Sequence, residues 1–456
     1  MEYTEFLLNK RFVVESSGFD IRRDELNPML YDFQKDIVRW ALKKGKANIF
    51  ADCGLGKTPM QLSWAHQVSK HTNNGKVLIL TPLAVASQTQ REAQKFGYRA
   101  KVVSEQSECI DGINITNYEK LDRFVTSEFV GVVLDESSIL KSYSGKVRTQ
   151  IIENFSQTPY KLACTATPAP NDYMELGNHA EFCGVMTRAE MLSMFFVHDG
   201  GETSKWRLKG HAQDVFWQWL ASFSVFVDNP RNIGYEVKGY DLPTLHINEI
   251  VVDGNEPIKE TLSLTERRDA RRDSIFSRCE KAAEICNNSD EQFLVWCDLN
   301  DESAKLHELI TDSVEVKGSD KDSHKTNSML GFSTNNYRVL VTKPSIAGFG
   351  MNWQNCHNMI FTGLSDSYEQ YYQALRRCWR FGQTSEVNVY IIISAREGCV
   401  KDNIERKQKD FLLMQSEMTK YTKEITKKEL KSTCRISTPY EPTQTMIIPT
   451  WKELYE

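Results

Sequence analysis

Asn48-Ile-Phe-Ala-Asp-Cys-Gly-Leu-Gly-Lys-Thr58 runs from an apolar strand through a glycine-rich loop into a segment that predicts a helix. Such a loop aims backbone N–H groups at phosphate oxygens, because the first N–H groups of a helix have no partner within it. A lysine placed here reaches the β and γ oxygens, and the hydroxyl after it takes a magnesium ligand position. Lys57 and Thr58 fill those two roles, with Gly54 and Gly56 in the loop itself. Ala51 stands where the general GxxxxGK[ST] pattern opens with glycine. The loop therefore reads as a nucleotide cradle rather than a chance turn.

Working outward, Gly131-Val-Val-Leu-Asp-Glu136 is an apolar strand ending in two carboxylates. Asp135 is placed to hold magnesium through water, and Glu136 to orient or deprotonate an attacking water. Phosphoryl transfer divides labour in this way because its transition state needs charge neutralisation and positioning more than covalent chemistry. Alone, an Asp-Glu pair is a solvated strand end. Beside the loop it is a candidate for catalysis.

Near-continuous apolar strands are expected at Ala47–Asp52, Val77–Thr81, Ile113–Asn117, Gly131–Asp135 and Lys161–Thr165, and again at Phe293–Cys297, Arg338–Thr342, Asn358–Thr362 and Val387–Ser394. Runs of this type, separated by longer polar segments, mark parallel α/β sheets covered on both faces. Two such sets lie along the chain. Between them, Met186–Val227 is rich in Phe, Trp and Met and reads as a helical flank on the first sheet, in preference to a cofactor pocket. Asn229–Leu245 carries Pro230, Gly234, Gly239 and Pro243 and reads as an extended connector. Ile258–Asn287 predicts a charged helix, solvated by default, with a nucleic-acid-facing role as the alternative. The expected divisions are 1–228 (with the flank over 175–228), 229–400, and a charged helix and tail over 401–456.

The composition bounds the class. The chain has 456 residues, 40% hydrophobic and 26% charged, with a formal net charge of −5, and its mean hydropathy is −0.47. No apolar run approaches the length of a membrane span, and Met1–Glu15 has no apolar segment of the secretory type. The expected location is the cytoplasm, without a membrane partner. Eleven cysteines include no CxxC pair, so neither a disulfide framework nor structural zinc is indicated. An acidic chain binds nucleic acid only through a local basic surface.

The order of further motifs resembles a superfamily-two helicase or translocase, within it the Swi/Snf-like branch. Tyr31-Asp-Phe-Gln34 resembles the Q motif, in which Gln34 would read the adenine edge. Thr81-Pro82 and Thr116-Asn117-Tyr118 resemble motifs Ia and Ib, which touch a nucleic-acid backbone. Asp135-Glu-Ser-Ser138 occupies motif II, with Ser138 where the family usually has His. Thr165-Ala-Thr-Pro168 resembles motif III, which makes Thr165 and Thr167 coupling residues.

The rear set supplies the rest. Thr342-Lys-Pro-Ser-Ile-Ala-Gly-Phe-Gly-Met-Asn352 resembles motif V: Thr342 and Lys343 would grip phosphates, and Gly348, Gly350 and Asn352 would shape the coupling loop. Gln373-Ala-Leu-Arg-Arg-Cys-Trp-Arg-Phe-Gly-Gln383 resembles motif VI, making Gln373 a catalytic-site residue and Arg377 and Arg380 arginine fingers. On a helix, residues three apart share one face, so both guanidiniums would point into a cleft. Arg376 stands where the family often has an acid and reads as a surface or phosphate-contacting side chain. Trp353 and Trp379 read as core rather than as base-stacking wedges.

The resemblance spans roughly residues 26–400. It implies two RecA-like parallel-sheet domains in tandem with an ATP cleft between them, using ATP and Mg2+, with Thr58 and Asp135 on the metal. It further implies a DNA-stimulated ATPase that translocates on DNA with 3′-to-5′ direction and acts as a helicase. The alternatives are an ATP-gated DNA clamp, and a motor subunit for a nuclease or methyltransferase partner. Replication, recombination and defence proteins are the candidate partners. Phe216–Phe226 and Ser365–Gln373 look most like helicases carried by phages and mobile elements.

Overall fold

A computed structural model describes residues 14–82, 85–141, 145–169, 172–198, 206–253, 269, 271–347, 351–365, 367–395 and 398–431. Two parallel sheets follow one another along the chain. This is the tandem α/β architecture expected from the sequence. The front sheet has β1 (Lys46–Ala51), β2 (Lys76–Thr81), β3 (Ala100–Val102), β4 (Ile113–Asn117), β5 (Phe129–Asp135) and β6 (Tyr160–Thr165). An antiparallel pair, β7 (Phe196–His198) and β8 (Trp206–Leu208), stands apart, and β9 (Ser224–Val227) completes the front sheet in the order β3-β4-β2-β5-β6-β1-β9.

That order positions the site. Phe50 pairs with Thr165, and Asp135 with Cys164, so the ends of β5, β6 and β1 lie side by side at one sheet edge. Ligand sites in open parallel sheets form outside such carboxyl ends. The apolar residues of these strands are buried on both faces, which is why each reads as an uninterrupted run.

The rear sheet contains β10 (Leu245–Val252), β11 (Phe293–Trp296), β12 (Ser313–Glu315), β13 (Val339–Thr342), β14 (Asn358–Phe361) and β15 (Val387–Ser394), ordered β10-β15-β14-β11-β13-β12. One apolar cluster is continuous from Phe50, Leu134 and Trp217 to Trp296, Trp353 and Leu375, so the two units share packed side chains. Trp353 is part of that core, as expected.

Four expectations need correction. The aromatic flank is helical over Leu176–Phe182, Arg188–Phe195 and Gln213–Ala221, but Ser224–Val227 joins the sheet beside β1. The connector is followed by strand β10, whose exposed His246, Asn248 and Glu249 break the apolar pattern that marks a buried strand. The charged helix occupies Ile275–Asn287, residues 258–268 lying outside the described residues. Its Arg278 is buried, as is Arg271 just before it, so neither lies on a solvated face. Lastly, the helix of motif VI ends at Leu375, short of Arg377 and Arg380.

The helix Gly398–Lys431 leaves the rear unit and packs along the front one, against Gln213–Ala221 and β9. Met418 and Leu430 are buried there, and Gln213 Nε2 donates to Glu417 Oε2 at 3.0 Å. Among the described residues, no helix is long and apolar enough to cross a membrane.

Candidate nucleotide site between the two units

After β1 the chain turns through Gly54 (φ +90°) and Gly56 (φ +79°) into the helix Lys57–His71. Both glycines sit in the left-handed region, where a side chain is strained. At Gly54 a Cβ would also come within 3.1 Å of Phe381 Cβ, because the rear unit packs directly on the loop. Lys57 Nζ donates to the Ala51 and Asp52 carbonyls at 2.8 and 3.4 Å. Thr58 follows it, half-buried, in the first turn of the helix. Gln34 lies under the loop with its amide nitrogen on the Leu55 carbonyl at 2.9 Å and its amide oxygen on the Tyr31 N–H at 2.9 Å. Both halves of the amide that was expected to read adenine thus support the loop and its neighbouring helix.

Asp135 is buried and accepts from Gln61 Nε2 at 2.8 Å. Burial holds its carboxyl above the usual aspartate range, opposed by Gln61 and Lys57. Glu136 is half-buried and has a φ of +58°, a conformation rarely adopted by a non-glycine residue and often found at functional sites. Its Oε1 accepts from Thr165 Oγ1, and from Ser138 Oγ at 3.2 Å. Burial also pushes Glu136 upward, with Lys57 opposing and Glu369 of the rear unit adding to the rise. Ser137, for its part, bonds His179 Nε2 at 3.0 Å inside the front unit, and burial depresses that imidazole to about 4.

The expected coupling residues form a bridge. Thr165 Oγ1 touches Glu136 and also accepts from the Thr167 N–H at 3.0 Å, while Thr167 Oγ1 donates to Glu369 Oε1 at 3.5 Å. Glu369 pairs in turn with Lys141 of the front unit. The chain of contacts therefore runs from Glu136 across to the helix Tyr368–Leu375. Of the other coupling residues, Asn352 is exposed, and Gly348 and Gly350 lie outside the described residues.

Arg377 and Arg380 are placed by a turn after that helix. Arg377 Nε donates to the Gln373 carbonyl and Nη1 to the Met351 carbonyl, both at 2.9 Å, and Arg380 Nη1 reaches the same Met351 oxygen at 3.5 Å. Across the interface, Arg377 lies within electrostatic reach of Glu136. Burial lowers both guanidiniums, and Arg377 beside it helps to bring Arg380 to about 10. Gln373 is buried, with both amide atoms lacking a hydrogen-bond partner.

The front sheet edge thus presents a glycine-containing loop, a lysine and carboxylate groups, and the rear unit sets arginines beside them. Residues 27–170 match the family described as type III restriction enzyme, res subunit, and residues 277–382 match the helicase conserved C-terminal domain. These matches support a superfamily-two helicase or translocase. Among solved structures the chain is similar to the Sulfolobus solfataricus SWI2/SNF2 ATPase core in complex with dsDNA, at 18% identity and a TM-score of 0.42, over 92% of this chain and 99% of that one. No curated protein matches the chain.

At the positions expected to contact nucleic acid, most side chains are turned inward. Thr81, Asn117, Tyr118 and Thr342 are all buried. Tyr118 donates its hydroxyl to the Asp135 carbonyl at 2.8 Å, Thr81 to the Thr116 carbonyl at 3.4 Å, and Thr342 to the Val316 carbonyl at 3.1 Å. Side chains fixed in this way brace the strand ends instead of facing a phosphate backbone. Of the six residues expected on DNA, Pro82 and Lys343 are the part-exposed ones.

Sequence reasoning missed the strongest links between the units. Asp52, in the loop, accepts from Tyr372 OH at 2.7 Å and from Arg376 Nη2 at 2.9 Å. Arg376 is 5% exposed and lies over the Trp379 ring, 5.2 Å from its centroid. It is therefore neither a surface side chain nor a free phosphate contact. A signal was available, since an acid inside a phosphate cradle calls for a cation beside it.

Proposed function

We propose that this chain is a DNA-stimulated ATPase that translocates along DNA in the 3′-to-5′ direction and separates its strands. The observation that carries the reading is the packing of Tyr372, Arg376 and Phe381 of the rear unit on the loop that precedes Lys57, in the same segment that carries Arg377 and Arg380. Groups divided between two bodies act together only when those bodies close, so nucleotide turnover can drive a hinge.

The residues present fit nucleotide and magnesium. Gly54, Gly56 and the first turn after Gly56 form an N–H cradle, and Gln61 Oε1 beside Asp135 and the Gln373 amide of the rear unit are buried polar atoms without a hydrogen-bond partner. Thr58 and Asp135 would hold magnesium, which supplies charge neutralisation on the phosphates. Lys57 would leave the Ala51 and Asp52 carbonyls for phosphate oxygens. Glu136 would orient water and accept its proton, and Arg377 and Arg380 would meet the developing charge. Thr165 and Thr167 would report that state to Glu369.

On the DNA side, Pro82 and Lys343 with neighbouring strand-end backbone would contact sugar and phosphate. Contacts of that kind position a protein without reading sequence. The likeness of Phe216–Phe226 and Ser365–Gln373 to helicases of phages and mobile elements belongs to this proposal, with replication, recombination or defence as its setting and the cytoplasm as its location.

Steady-state ATPase measured with single-stranded, duplex and forked DNA, together with strand displacement, tests the reading. Stimulation by DNA and release of a strand are expected, and Lys57→Ala should abolish both. Hydrolysis that ignores every DNA, or survives Lys57→Ala, overturns it. The match of the front unit to a restriction-enzyme res subunit favours one second reading, a motor subunit working with a nuclease or methyltransferase partner. DNA-stimulated hydrolysis without strand displacement would select that reading.

A further inference from the structure

Asp52 poses an electrostatic problem. It lies at the end of β1, two positions before Gly54, so its carboxylate adds negative charge to the loop whose N–H groups face anionic phosphates. Three hydrogen bonds hold it: the Cys53 N–H at 2.6 Å, Tyr372 OH at 2.7 Å and Arg376 Nη2 at 2.9 Å. The same Arg376 nitrogen donates to the Cys53 carbonyl at 2.8 Å. Phe381 packs on Gly54 from the same side. The rear unit therefore grips the loop at three successive residues.

Arg376 differs from its neighbours in what it can do. Arg377 and Arg380 rest on the Met351 carbonyl of their own unit, whereas Arg376 forms a direct ion pair across the interface. Asp52 is 12% exposed and Arg376 6% by side chain, so water screens the pair weakly. Paired, the carboxylate is neutralised and turned toward the rear unit. Unpaired, it would remain a bare charge beside bound phosphate.

We infer that Arg376 is a positioning residue for the nucleotide, acting through Asp52: it cancels the one acid of the phosphate loop and so couples closure of the units to ATP affinity. This rests on the nucleotide reading proposed above. Arg376 needs no contact with the phosphates, and its effect comes from the charge it removes. The arrangement also gives the closed form higher affinity for ATP than the open one, which is the condition for nucleotide to favour closure.

Charge cancellation and simple structural bracing predict opposite results for one substitution. Asp52→Asn keeps Oδ1 as acceptor for the Cys53 N–H and Tyr372 OH, removes the charge, and replaces the Oδ2 acceptor of Arg376 with an amide donor. Equilibrium binding of ATP to the full chain, without DNA, is compared for wild type, Asp52→Asn, Arg376→Met and the double variant, with thermal melting of each. Arg376→Met should weaken ATP binding on the order of ten-fold or more. Asp52→Asn should bind at least as tightly as wild type, and the double variant should return to within about three-fold of wild type. If Asp52→Asn weakens binding as Arg376→Met does, or if the double variant is no better than Arg376→Met, the inference fails. Should Arg376→Met not fold, the Asp52→Asn result alone decides in the same way. A wild-type chain that binds no ATP overturns the nucleotide reading and this inference together, whereas ATP binding equal in all four proteins overturns this inference alone.

Discussion

The two walls of the interface carry opposite charge and are built differently. On the front wall, Asp52 follows β1 and Asp135 and Glu136 lie at the end of β5, with β6 between; they are held by Gln61, Thr165, Ser138 and, across the gap, Tyr372 and Arg376. On the rear wall Arg376, Arg377 and Arg380 come from one turn, and Arg377 and Arg380 rest on backbone carbonyls of Gln373 and Met351. A carboxylate held by neutral donors still carries its charge outward. An arginine resting on carbonyls does the same. Neither wall is electrostatically complete alone, which makes the juxtaposition the functional unit.

The largest effect expected from breaking this complementarity is on turnover. Arg377→Ala and Arg380→Ala should each lower the ATPase kcat by roughly 10³-fold or more, the range of arginine fingers in other phosphoryl-transfer systems. ATP affinity should fall far less, because the Lys57 loop remains. Single-turnover hydrolysis beside equilibrium ATP binding separates the two quantities. Equal losses in both would make these arginines binding groups and remove the asymmetry between the walls.

How much of this was legible follows from the range of each interaction. The nine strands expected from apolar runs are present, because burial on both faces leaves a mark within five or six residues. The edge strands β3 and β12, three residues each, and the partly solvated β10 leave no such mark. Lys57 at the start of its helix, and Asp135, Glu136, Thr165 and Thr167 at or just after strand ends, lie in local motifs that spacing alone singles out. Asp52 and Arg376 pair across 324 positions, and no local spacing encodes that. The buried hydroxyls of Thr81, Tyr118 and Thr342 escaped the sequence for a related reason: a Thr or Tyr at a strand end looks the same whether its hydroxyl faces solvent or a neighbouring carbonyl.

A second test sharpens the contrast by attacking what lies beneath the rear wall. Arg278 and Glu302 form an ion pair at 2.8 Å with both side chains 0% exposed. Arg278 also donates to the Thr362 and Arg271 carbonyls and to Ser274, holding the chain just before the helix that carries Glu369 and Tyr372. Removing one partner of a buried pair costs about 3–5 kcal/mol, because the other charge is left uncompensated. Arg278→Met should therefore destabilise the chain by about that amount in urea unfolding, and adding Glu302→Gln should recover part of the loss. A cost below about 1 kcal/mol for Arg278→Met would show that the pair does not support the wall.

The smallest effect concerns Glu136 and Glu369, like charges that face each other across the interface. Burial is the main reason that Glu136 holds its proton above the usual glutamate range, and Glu369 across the interface adds to the rise. If Glu136 must be ionised to accept a proton from water, hydrolysis should increase with pH as that carboxyl deprotonates. Glu369→Gln removes the negative neighbour, which favours ionised Glu136. The acid limb of the kcat–pH profile should then move to lower pH, by about half a unit to one unit. A limb that stays in place, or moves upward, would mean either that Glu136 is not the titrating group or that the two carboxylates do not sense each other across the closed interface.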